Sequence, residues 1–166
     1  MNKNETQMSQ RAGEDWLARI QKTIQKHGHA VITTADEDYI WAYSAGLAYQ
    51  GYPELVVVEE KTSTMASHRF LAKLINLGYE KLRELNAASA KGVLQIPPQV
   101  ELADGYTLSL TSLEVNAVIG RWTPILGRMF VGMPIYIVQL RRTGQDGNCV
   151  GHALQPELRP VGVTLN

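Results

Sequence analysis

The segment from residue 29 to residue 58 constrains the fold most, because it holds three strand patterns separated only by short turns. Residues 29–34 form a short apolar run, residues 39–47 place aromatic side chains on one face and small ones on the other, and residues 55–58 are continuously apolar. Parallel neighbours would need a longer crossover between them. The segment therefore predicts an antiparallel meander whose third strand lies inside the sheet.

Helical patterns flank this meander on both sides. Apolar residues at spacings of three and four predict one helix from Gly13 to His27 and another after Ser63. Gly78 interrupts the second helical stripe and predicts a bend or a break there. The apolar positions of the two stripes are Trp16, Leu17, Ile20, Ile24 and His27, and Met65, Phe70, Leu71, Leu74, Ile75, Tyr79 and Leu82.

Strand patterns return in the second half of the chain. Asp104-Gly105 between alternating segments predicts a hairpin, and Pro124 suits the first turn of a short helix over residues 121–130. Residues 134–140 predict the last clear strand. Because helices are separated by runs of adjacent strands, the predicted class is α+β, with one mainly antiparallel sheet packed by two principal helices. The apolar residues Met129, Phe130 and Met133 are predicted to belong to the core.

Length and composition indicate one globular domain and exclude several classes of protein. The chain has 166 residues, of which 45% are apolar. Residues 1–11 are polar and lack a period, so they predict a disordered arm, and residues 12–166 form the predicted domain. Lys plus Arg equals Asp plus Glu at 16 each, which provides no basic excess for nucleic acid. No apolar run suits a membrane span or a signal peptide, so we expect a cytoplasmic protein.

The loop between the second and third strands is the main candidate for a site. Gly46 would let a ligand approach the backbone, Ser44 offers a hydroxyl, and Glu54 places a carboxylate at the mouth of the sheet. Tyr43, Tyr49 and Tyr52 would line such a pocket with phenols. The same segment also suits a wide hairpin whose glycines supply positive φ, with Glu54 capping a backbone amide or pairing with an arginine. Both interpretations stay open.

Histidine and cysteine residues do not make a metal motif. His27 and His29 straddle a predicted helix end, and Cys149 with His152 is at most half of a metal site. Cys149 would act as a nucleophile only with a base such as His152 beside it. No phosphate-binding, dinucleotide-binding or serine-hydrolase motif is present. The sequence therefore predicts no metal and indicates no particular cofactor.

The sequence YSAGL at residues 43–47, followed by YPELVV at residues 52–57, resembles the bacterial family catalogued as "domain of unknown function 4262". Tyr52 stands where that family often has histidine. The resemblance covers residues 13–158 and implies an intracellular bacterial α+β domain, but no reaction, because the family has none assigned. It further implies that the most recognisable residues meet in space: Tyr43, Ser44, Gly46, Glu54, Gln139 and Asp146.

Three hypotheses for function follow. The first is a non-catalytic binding or interaction module for a protein partner or a small ligand, since no catalytic constellation is evident. The second is a small-molecule enzyme in which Glu54 acts as general base beside Ser44 and Tyr43, which requires a carboxylate of raised pKa in a water-poor pocket. The third is a flavin- or nucleotide-binding small barrel, by analogy of fold alone. Homo-oligomers are compatible with all three.

Overall fold

The helices and strands below come from a computed structural model. It describes residues 3–89, 94–143, 149–151, 153–154 and 164–165. The helices are α1 (Lys3–His27), α2 (His68–Ala88), α3 (Val115–Val118) and α4 (Pro124–Met129), with a 3₁₀ helix at Leu47–Gln50. The strands are β1 (Ala30–Ala35), β2 (Tyr39–Ala45), β3 (Glu54–Glu60), β4 (Leu94–Gln95), β5 (Gln99–Glu101), β6 (Thr107–Leu113), β7 (Ile137–Thr143), β8 (Cys149–Val150) and β9 (Thr164–Leu165).

One mixed sheet organises these elements. Its strand order is β1-β2-β3-β7-β6-β5, β8 pairs with β7, and β4 and β9 form a separate pair. The predicted meander is confirmed, because β1, β2 and β3 pair antiparallel and β3 lies inside the sheet. The parallel pair β3–β7 joins this meander to the second antiparallel unit, β5–β6–β7. The α+β class is confirmed, and within the described residues the sheet is open, with edges at β1 and β5, rather than closed into a barrel.

Helices cover both faces of the sheet. On one face, Ile20 of α1, Val118 of α3 and Leu126 of α4 pack with the β-strand residues Tyr43 and Val56. On the other face, α2 packs on the sheet through its own apolar stripe. The two principal helices, α1 and α2, therefore lie on opposite sides. None of the helices in the described part of the chain has the length and apolarity to span a membrane.

The N-terminal helix begins earlier than predicted. Residues 3–11, assigned to a disordered arm, belong to α1. The physical reason is helix propensity, because the segment before Gly13 contains no glycine or proline and is rich in good helix formers such as Glu5, Gln7 and Met8. Trp16, which its spacing places in the first helical stripe, is 45% exposed.

The second principal helix is continuous. α2 begins after Ser67, whose Oγ accepts a hydrogen bond from the Phe70 backbone N–H at 3.1 Å, so Met65 lies outside it. The predicted bend at Gly78 is wrong. Gly78 is buried, and a Cβ at this position would lie 2.5 Å from Cδ1 of Leu140 and 3.2 Å from Cδ1 of Leu55. The glycine therefore permits close packing of α2 on the sheet.

Candidate functional site

The Glu54 side chain opens β3 and is fully buried. Its Oε1 accepts hydrogen bonds from the backbone N–H groups of Gly46, at 2.8 Å, and Ala48, at 3.0 Å. Its Oε2 accepts a hydrogen bond from Ser44 Oγ at 2.5 Å. Both carboxylate oxygens are therefore occupied by donors of the protein itself. The Glu54 backbone N–H donates to the carbonyl of Tyr136 at 2.8 Å, which ties the same residue to the chain entering β7.

The loop geometry explains why those amides converge. Gly46 and Gly51, at φ 107° and 79°, flank the 3₁₀ helix, which confirms that the glycines supply positive φ. A Cβ on Gly46 would also lie 2.9 Å from Cγ2 of Ile24 in α1. The 3₁₀ helix is thus held against α1, with the N–H groups at its beginning directed at the Glu54 carboxylate. Successive backbone amides of this kind form a cradle for an anion.

Ser44 completes the same network. Its Oγ donates to Glu54 and accepts from the backbone N–H of Leu55 at 2.8 Å, and the side chain is fully buried. The described β2–β3 register ends at Tyr43 and Val56. Ser44 therefore satisfies a buried backbone donor at the point where the strand pairing stops.

Burial controls the ionisation of the two candidate acid–base residues. It raises the pKa of Glu54, while the hydrogen bonds from Ser44 and the loop backbone act in the opposite direction. Burial raises the pKa of Tyr43 to about 12, with a smaller lowering by a hydrogen bond with the Ile125 backbone. Tyr43 and Ser44 are consecutive in β2, so their side chains point to opposite faces of the sheet. Tyr43 packs against the α1, α3 and α4 face.

Tyr52 lies on the outer side of the loop, against α2. Its hydroxyl accepts a hydrogen bond from Asn86 Nδ2 at 3.2 Å, and its ring meets the Tyr79 ring edge-on at 5.5 Å. The Tyr79 hydroxyl donates to Oε1 of Gln50 at 2.8 Å. These contacts dock the loop onto α2 and leave Tyr52 outside the carboxylate network.

Gln139 and Asp146 are the two candidate residues from the end of the chain. Gln139 is buried in β7 opposite Val56, and its Oε1 accepts from the Leu154 backbone N–H at 3.0 Å. Asp146 and His152 lie outside the described residues, as does the side chain of Cys149. Of the seven candidates, the structure joins Ser44, Gly46 and Glu54 in one network.

Sequence reasoning did not predict the exposure of four large apolar side chains. We call the following four residues the apolar rim: Tyr49, Val131, Met133 and Tyr136, which are 54%, 79%, 47% and 47% exposed. The Tyr49 ring contacts the Phe130 ring at a centroid distance of 4.9 Å, and Val131 and Met133 follow Phe130 in the chain. Met133 is thus not a core residue. Apolar residues without a clear period give no signal that separates core from surface.

One cleft of the molecule lies away from Glu54. A cleft of about 420 Å³ lies between the C-terminal half of α2 and β5, and none of the predicted site residues lines it. Its walls are formed by Lys81, Glu84, Leu85, Ala88, Pro97, Gln99, Val100 and Glu101. In the part of the chain that the structure describes, no group of three or more His, Cys, Asp or Glu side chains could hold a metal ion.

No family model matches this chain, and no curated protein and no solved structure matches it significantly. The resemblance to the family of unknown function therefore stays a prediction.

Proposed function

We propose that this protein is a non-catalytic interaction module that binds a protein partner through the apolar rim. The observation that carries the proposal is the exposure of four large apolar side chains, Tyr49 in the loop between β2 and β3 and the other three between α4 and β7. Exposed apolar groups that lie together mark interaction surfaces in soluble proteins, and tyrosine and methionine are enriched in such interfaces.

The Glu54 network supports this proposal because Glu54 contacts both chain segments that carry the rim. Ala48, next to Tyr49, donates to the Glu54 carboxylate, and the Tyr136 carbonyl accepts from the Glu54 backbone. Glu54 therefore contacts the neighbour of Tyr49 through its side chain and Tyr136 itself through its backbone. A surface that is ordered before binding loses less conformational entropy when a partner docks.

The geometry gives less support to an enzyme with Glu54 as general base. A base must come within hydrogen-bond reach of the proton that it removes. Both Glu54 oxygens are occupied by Ser44 and the loop amides, and the side chain has no exposure to solvent. Tyr43, the other candidate, is buried on a different face of β2 from Ser44 and has a raised pKa, which favours the neutral phenol. Glu54 fits a structural role better than a catalytic one.

The test is partner capture with a matched pair of surface variants. Val131→Glu places a charge in the rim, and Gln99→Glu places the same charge at the far edge of the sheet, in the wall of the cleft. We expect a partner protein from source-cell extract to bind the wild type and Gln99→Glu alike. Its affinity for Val131→Glu should fall about tenfold, because an unpaired charge would be desolvated in the interface.

Two results would contradict the proposal. One is a partner whose binding depends on Gln99 but not on Val131, which would move the interface to the cleft. The other is a small molecule that leaves the purified protein on denaturation in native mass spectrometry, together with no rim-dependent partner. That result would instead favour a ligand-binding protein.

A further inference from the structure

The strand β1 presents an open edge of the sheet. In the described strand order its neighbour is β2. The Asp36 backbone N–H donates to the Tyr39 carbonyl at 2.9 Å, so these two residues form a hydrogen-bonded pair at the end of the β1–β2 ladder. Hydrogen-bonded and non-hydrogen-bonded pairs alternate along an antiparallel ladder. The backbone groups of Val31, Thr33 and Ala35 therefore point away from β2.

The pairing of β2 with β3 supports the same orientation of the backbone groups. The Lys61 backbone N–H donates to the Asp38 carbonyl, so these two residues form a hydrogen-bonded pair. The backbone N–H and C=O groups of the even-numbered residues of β2 therefore point toward β3, and those of the odd-numbered residues point toward β1. No hydrogen bond within the described part of the chain reaches the outward N–H and C=O groups of Val31, Thr33 and Ala35. We call these three residues the β1 edge. Their backbone N–H and C=O groups are available to pair with another strand.

The β1 edge lacks the features that protect exposed edges. Soluble proteins commonly block an edge strand with lysine, proline or a bulge, or keep it short. β1 has the sequence AVITTA, pairs in an unbroken register over six residues, and exposes Thr33 and Ala35. The opposite edge, β5, has three residues, follows a Pro-Pro pair and ends at Glu101. One edge of this sheet is thus protected and the other is not.

We infer that the β1 edge binds the β1 edge of a second copy of this chain, antiparallel and about a two-fold axis at Thr33. This register is the one that uses all three outward positions: Val31 pairs with Ala35 of the other copy, and Thr33 pairs with itself. Such a symmetric interface is self-complementary and closed, so it ends at a dimer. The two sheets join into one continuous sheet.

Charge and side-chain chemistry favour a second copy as the occupant. In this register His29 of one copy lies opposite Glu37 of the other, and no like charges face each other from residue 29 to residue 37. Threonine opposite threonine is a favourable cross-strand pair. The chain has a formal net charge of zero, so two copies do not repel at long range. The β1 edge includes no rim residue, so this inference can fail or hold independently of the proposed function.

The first measurement is molar mass by light scattering over a concentration series, from low micromolar to several hundred micromolar. We expect a concentration-dependent rise from 18.4 kDa to twice that value. Thr33→Lys should weaken the dimer, because it places two like charges opposite each other on the axis. Thr33→Pro should raise the dissociation constant about tenfold or more, because each copy loses one donor to the interface.

The matched control is Gln99→Lys, which adds the same charge to the exposed surface of the other edge strand and should leave the dimer unchanged. A second measurement needs no variant: hydrogen exchange of the wild type should show the Val31, Thr33 and Ala35 amides protected at high concentration and exchanging rapidly at low concentration. Monomer mass at every concentration, a dimer unaffected by both Thr33 substitutions, or rapid exchange of these amides in the dimer would overturn the inference.

Discussion

At the scale of single residues, Glu54 organises the loop between β2 and β3. A fully buried carboxylate is unfavourable unless donors surround it, and here a serine hydroxyl and two loop amides do so. The same residue also meets the backbone of Tyr136. Its removal should therefore affect the stability of the whole loop.

We expect Glu54→Gln to lower the free energy of unfolding by about 1–3 kcal/mol, because an NH2 group replaces one of the two accepting oxygens and a donor that faces it is left unsatisfied. The matched control is Glu60→Gln, at the exposed end of the same strand, which should change stability by less than about 0.5 kcal/mol. Urea denaturation checks both. Unchanged stability in Glu54→Gln, accompanied by loss of a bound molecule, would instead assign Glu54 a functional role.

The sequence allowed part of this site to be predicted. A carboxylate directly before an apolar strand must find donors, and Ser44 and Gly46 were candidates for the same loop. The groups that donate hydrogen bonds to Glu54 could not be predicted, because the position of the loop amides depends on a contact between distant segments, Gly46 against Ile24. The sequence did predict that the side chains of Tyr43 and Ser44 lie on opposite faces of the sheet, because they are consecutive in a strand.

At the scale of elements, α2 shows how packing overrides local propensity. Glycine in a helical pattern predicts weakness, and in isolation that expectation is sound. Gly78 instead lies where α2 approaches Leu140 and Leu55 too closely for a side chain. That close approach becomes visible only when β7 is placed beneath the helix.

This contrast predicts opposite effects for two glycine substitutions. Gly78→Ala should lower the free energy of unfolding by about 1–3 kcal/mol, because the added methyl group overpacks the core at Leu140. Gly13→Ala, within α1, should raise it by about 0.5–1 kcal/mol, since the nearest atom to its Cβ would be Arg128 Nη1 at 3.8 Å. Thermal and urea unfolding of the two variants measures whether the free energy of unfolding falls in one and rises in the other. Stabilisation by Gly78→Ala would show that α2 packs less closely.

The pairing of elements was only partly predictable. Short turns and alternation were sufficient for β1, β2 and β3, because hairpins are local. The parallel β3–β7 pair joins residues from distant parts of the chain, such as Glu54 and Ile137, and no local pattern specifies it. The start of α1 at Lys3 was missed for another reason: a polar segment without a period can still form a helix.

At the scale of the whole molecule, two buried carboxyl groups determine whether the free energy of unfolding rises or falls with pH. Burial raises the pKa of Glu54 and of Glu59; at Glu59, hydrogen bonding by Ser63 and the charge of Arg141 oppose the rise. A carboxyl group whose pKa is higher in the folded state binds more protons there than in the unfolded state. Stability from such a group is fully present below its unfolded pKa and is lost as pH rises through the folded pKa.

We therefore expect the free energy of unfolding to fall as pH rises above the ordinary glutamate value of 4.5. The pKa of Asp36 is lowered mainly by its hydrogen bond with Arg121. Asp36 therefore changes the free energy of unfolding only below its ordinary pKa of 3.8, outside this pH range. Urea denaturation at a series of pH values measures the slope, and Glu54→Gln should make it shallower. A stability that rises with pH in this window would show that the hydrogen bonds to the carboxylates outweigh burial.

The parallel β3–β7 pair also has a consequence for biosynthesis. β1, β2 and β3 leave the ribosome well before β7, which begins at Ile137. Until then β3 is itself an exposed edge, and its sequence ELVVVEE is strongly β-forming. A nascent chain that stalls before Ile137 would present this strand to its neighbours, so we expect slow translation of the segment between β3 and β7 to increase aggregation.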